Sequence, residues 1–176
     1  MDVIEEGFSA IVEKIKDLNE NEGKLSKDVR DNQGALLAGM AGKVSPFIPK
    51  IGMEMLVRGK QDGKGEMYDT VFHDKKMIIL GKVDPMEYRP DDMNKKVTSQ
   101  YCVLSEEGKF YELMYSTTDF IIDSYKQELT PEQVLDLYGY DIMFMLYRAL
   151  REYLQDETEL VNALEMTLSF IFEEKK

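Results

Sequence analysis

One cysteine, one histidine and no tryptophan leave this 176-residue chain short of the residues that most often carry metal and redox chemistry. Cys102 has no second thiol to pair with, so an internal disulfide is excluded and a reducing cytoplasm is the expected setting. In mid-strand sequence it reads as a small buried apolar residue. His73 has Asp69 as its nearest acid on the same strand face, and four residues of strand span about 13 Å, too far to share a metal or a hydrogen bond. His73 is therefore expected exposed in a turn, and no metal or cofactor is expected.

Long apolar runs are also missing, which excludes a membrane-spanning helix. The first residues, Met1-Asp2-Val3-Ile4-Glu5-Glu6, are acidic where a signal peptide is basic. Bases are scarce: the net charge is −12, with seven acids and two bases in residues 1–23. An acidic surface repels phosphate backbones, so nucleic-acid binding is not expected. Residues 24–64 are the exception, with eight bases and four acids. Lys43, Lys50, Arg58, Lys60 and Lys64 form a basic block that either docks an anion or pairs with acids of its own fold.

What is present is a run of strand signals from Ile51 to about Tyr125. Asp62-Gly63, His73–Lys76 and Glu106–Lys109 punctuate short β-branched and aromatic segments, a pattern that predicts an antiparallel meander. Met77-Ile78-Ile79-Leu80 is apolar without alternation, which predicts a central strand covered on both faces, with Ile79 or Leu80 as an anchor. Phe120–Tyr125 fits a sixth strand or a short helix and is read as strand.

Helical sequence flanks this run. Ile4, Phe8, Ile11, Val12, Ile15 and Leu18 recur at helical spacing, with a stop expected at Asn19–Gly23. A second helix is expected from Ser26 to Val44, small-sided at Gly34, Gly39 and Gly42, and ended by Pro46 and Pro49. Gly34–Lys43 has the wrong spacing for a phosphate loop and follows no strand. Thr130-Pro131-Glu132-Gln133 is a capping box and starts a third helix running to about Leu154 with a bend at Gly139. Asp156–Thr158 is expected to turn the chain into a last helix carrying Leu160, Val161, Leu164, Leu168, Ile171 and Phe172. Two prolines make Asp84–Thr98 a long loop, with Asp91 and Asp92 as weak cation ligands.

The expected fold is a single α+β domain over residues 1–176: a mainly antiparallel sheet of five or six strands flanked by two N-terminal and two C-terminal helices. No nucleophile elbow or other catalytic motif is present, so no catalytic residue is assigned. The third helix carries more apolar surface than one sheet face covers. Either the last helix folds back to cover it, or the surface drives homodimerisation through Phe144, Tyr147, Leu164 and Leu168. The expected function is a non-enzymatic, self-associating binding or assembly protein. The alternative is a small-ligand-binding domain or a carboxylate-based enzyme with a pocket between sheet and helices; twelve methionines and ten tyrosines would suit either an adaptable pocket or core filling.

Overall fold

The computed structural model describes residues 3–173; of residues 3–8, 10, 172 and 173 it describes the backbone alone. It is α+β, with six antiparallel strands: β1 (Leu56–Gln61), β2 (Met67–Phe72), β3 (Met77–Val83), β4 (Ser99–Ser105), β5 (Phe110–Thr118) and β6 (Ile121–Leu129). The helices are α1 (Val3–Val44), the short turn α2 (Ile48–Ile51), α3 (Pro131–Tyr138) and α4 (Asp141–Glu173).

Strand order is β2-β1-β6-β5-β4-β3. The β1–β2 and β4–β5 turns form at the glycine signals, Gly65 and Gly108 taking positive φ of 86° and 77°. The β2–β3 link is different, because it joins opposite edges of the sheet. Edges of a flat six-stranded sheet lie about 24 Å apart, whereas the four residues between Phe72 and Met77 reach across at most ~18 Å. The sheet must therefore curl. Met53 bridges Met77, and the His73 N–H donates to the Met55 carbonyl at 2.8 Å, holding the two edges together at one end.

The curl creates two cores. Met55, Met77, Val103, Tyr111 and Leu113 fill the concave side. On the convex side, Leu37, Val44 and Ile48 from the end of α1 and the following turn, with Val134, Ile142 and Leu146 of α3 and α4, cover Leu80, Cys102, Leu104 and Phe110. The loop from Asp84 to Thr98 lies on the same side, over β4 and β6. Arg89 pins it: its Nη1 donates to Asp123 of β6 at 3.0 Å and its Nε to Asp91 at 2.9 Å, while Lys95 pairs with the other Asp123 oxygen. Asp91 is thus engaged by Arg89, and Asp92 accepts the backbone N–H of Asn94 within the loop.

Several sequence expectations are corrected. Asn19–Gly23 does not end a helix: α1 continues through it for 42 residues. A glycine ends a helix by adopting a left-handed conformation, and Gly23 does not. The predicted third helix breaks completely at Gly139, whose φ is 74°, rather than bending. The turn expected at Asp156–Thr158 is absent, so α4 is one 33-residue helix and no last helix folds back over it. The flanking set is therefore one long N-terminal helix with a short turn, and two C-terminal helices. β3 is an edge strand, not a central one; the curl and the helices bury Met77, Ile78 and Leu80, while Ile79 is 36% exposed. Phe120–Tyr125 does contribute strand, within β6.

Candidate interaction surface

Both long helices extend past the sheet. Tyr140 at the start of α4 hydrogen-bonds Gln33 of α1, while Tyr153 further along packs on Phe47 with ring centroids 5.7 Å apart and accepts from Lys50 Nζ at 3.0 Å. Over this span the two helices run side by side in the same direction. The first thirty or so residues of α1 therefore leave the body at one end, and α4 beyond Leu154 leaves it at the other.

The exposed parts carry apolar seams. On α1, Ile11, Ile15, Leu18, Leu25 and Val29 alternate by three and four residues, interrupted at Glu22, and all are more than half exposed. Ile4 and Phe8 extend the spacing in sequence, but their side chains lie outside the described residues. On α4, Tyr147, Leu154 and Val161 recur every seven residues, with half-buried Leu150 and polar Glu157 between them, and Leu164, Leu168 and Ile171 continue by three and four; the six are about half to two-thirds exposed. Three-four spacing is the signature of a helix that packs along its length on another helix. Tyr147, Leu164 and Leu168 of the sequence-predicted contact set thus share one seam, with Phe144, 63% exposed, beside it. The structure brings them to one helix and leaves them uncovered.

A groove of about 760 Å³ runs between α1 and the α3–α4 corner. Leu18, Leu25 and Val29 form one wall, Leu135 and Tyr140 the other, and Arg30 pairs with Asp136 across it at 3.3 Å. The α1 seam therefore opens directly into this groove.

Polar groups inside the body are engaged with one another. Glu112 of β5 is 6% exposed and accepts from Gln100 and, at 2.9 Å, from the Tyr138 hydroxyl. Burial and that carboxylate raise the Tyr138 pKa well above its ordinary value. Cys102 lies opposite Glu112 in the ladder, and burial, then the carboxylate, pushes its thiol up to about 12. A thiol held protonated is a poor nucleophile. His73 is half-buried rather than exposed, and its Nε2 lies 3.3 Å from Ser124 Oγ. Burial, then Lys126, lowers its pKa. The Ser124 hydroxyl donates to the Val57 carbonyl, so this pair ties β1, β6 and the β2–β3 link together. A histidine base would have to accept from the serine instead. Sequence reasoning missed this contact and the Arg89 pairing, because both partners are remote in the chain.

Of the basic block, Lys60 pairs with Asp69 of the neighbouring strand and Lys50 with Tyr153. Among the described residues no cluster of three metal-ligating side chains occurs, and no helix is long and apolar enough to cross a membrane. Protein-family models, curated proteins and solved structures include no match to this chain.

Proposed function

We propose that this chain is a non-enzymatic binding or assembly protein that self-associates through its two long helices. One observation carries the reading: each helix leaves the body with an uncovered apolar seam, three-four spaced along α1 and along α4 from Val161. Isolated helices are marginal in water and owe most of their stability to packing of the apolar face. A second helix on each seam supplies that packing and removes the exposed patch. On α4, Tyr147, Leu164 and Leu168 form the contact with Phe144 at its flank. A cytoplasmic setting is part of the proposal, supported by the lone, buried thiol.

The reading as a ligand-binding domain or enzyme with a sheet–helix pocket has less support. The space between sheet and helices is occupied by wholly buried Leu37, Leu104, Ile142 and Leu146. The one buried carboxylate named above, Glu112, holds two donors of its own fold.

Replacing Phe144 and Leu168 separately with Lys tests the proposal. Both sites are exposed, so each variant should keep the wild-type circular dichroism spectrum while sedimentation shows a smaller assembly. Unfolding of either variant, or a wild-type monomer at tens of micromolar, contradicts it.

A further inference from the structure

We infer that the seam of α1 pairs antiparallel with α1 of a second copy, the second helix lying along the groove beside α3. This rests on the self-association reading and names the partner of one of its surfaces.

Three observations select that occupant. The first is the continuity of seam and groove. Setting Ile11 opposite Val29 of the second copy, and Ile15 opposite Leu25, puts apolar residues against each other. It also seats Ile11 and Ile15 of the second copy beside Leu135 and Tyr140, the far wall of the groove. By the dyad, each groove receives the other chain.

The second is charge. Residues 1–23 are strongly acidic, while Lys24, Lys27 and Arg30 follow within the next seven positions. Parallel pairing would stack the two acidic segments and place Glu22 against Glu22 in the seam. Antiparallel pairing separates the two acidic segments and moves Glu22 opposite Leu18. Lys14 precedes Ile15 and Asp28 precedes Val29, so both flank the seam on the same side. Antiparallel helices bring like flanks together, which sets Lys14 across from Asp28 twice per dimer. Both side chains are exposed.

The third is extent. Positions 4–36 of the helix span about 50 Å, and a contact strip about 10 Å wide on each copy gives roughly 1,000 Å² in total. That reaches the size at which specific interfaces begin.

Disulfide trapping tests the arrangement in the full-length protein. Residues 15 and 25 of one chain lie about 15 Å apart along the helix, so they cannot bridge each other. Cys102 is fully buried and needs no replacement. The double variant I15C/L25C should form a covalent dimer on mild oxidation, while I15C and L25C alone should remain largely uncross-linked. K14D and D28K should each weaken dimerisation several-fold, and the combined K14D/D28K should recover it. A covalent dimer of I15C alone indicates parallel pairing and overturns the inference. Failure of every variant to cross-link, with wild-type protein still dimeric in sedimentation, also overturns it and leaves self-association to α4. A wild-type monomer removes both.

Discussion

The body and the two helical extensions are built from the same kinds of residue but settle them differently. In β4 and β5, Val103, Leu104, Leu113 and Met114 are wholly buried. In the extensions, Leu25 and Leu154 are 65% and 67% exposed. The body meets its hydrophobic demand within one chain. The extensions, with equally regular apolar spacing, do not. The teaching is that spacing reports only that a face will be covered; whether by the same chain or another depends on where the helix goes after it leaves the sheet.

The largest expected effect separates the two regions directly. Leu104→Ala should cost about 2–5 kcal/mol in denaturant unfolding, the range for a buried leucine. Leu25→Ala should change the stability of the monomer by no more than about 0.5 kcal/mol, as at an exposed site. Similar losses at both positions, measured where the protein is monomeric, would erase the distinction.

A smaller effect is expected at the polar contact under α3. Glu112→Ala leaves Gln100 and Tyr138 without their shared acceptor, at a cost of about 1–3 kcal/mol. The combined Glu112→Ala and Tyr138→Phe protein should lose less than the two separate losses added together, because one broken contact is counted in both. Strict additivity in chemical unfolding would show that Tyr138 does not depend on Glu112.

The pH response of the body should be traceable to His73. Its folded pKa is lowered, chiefly by burial, from an ordinary value near 6.5. Above about 6.5 both folded and unfolded forms are neutral there, and its contribution is fully present. As pH falls from there through the lowered folded value, the unfolded chain binds the proton first and stability declines. His73→Gln should therefore flatten the stability profile on the acid side; an unchanged slope would remove His73 as the cause.

The smallest effect concerns reactivity alone. With its pKa pushed up to about 12, the Cys102 thiol should resist alkylation at neutral pH in the native protein and react promptly in denaturant. Rapid native labelling would place it outside the core.

Local chemistry made much of the body legible. Asp62-Gly63 and Gly108 marked real turns, and the Thr130–Gln133 capping box forms as written, with both reciprocal hydrogen bonds. Strand order was not legible, because nothing near His73–Lys76 says that the link joins two edges rather than two neighbours. Leu80 was anticipated as a core anchor, whereas Ile79 faces outward at an edge. The stop at Gly23 and the turn at Asp156–Thr158 misled for one reason: polar residues in a helix that stands clear of the body meet only water, so they do not need to end it. Phe144, Tyr147, Leu164 and Leu168 were singled out for their apolar character and lie exposed on α4, and Ile11, Ile15 and Leu18 were legible as helical spacing. The groove beside α3 was beyond reach, since its two walls lie a hundred residues apart in the chain.

Amide hydrogen exchange at two protein concentrations addresses the contrast between body and extensions most directly. Amides in β4 and β5 should exchange slowly and at rates independent of concentration, since their protection is internal. Amides in residues 11–30 and 154–171 should exchange fast in dilute protein and slow markedly as concentration rises through the micromolar range. Extensions that stay equally protected in dilute solution, or unprotected at every concentration, would contradict the account.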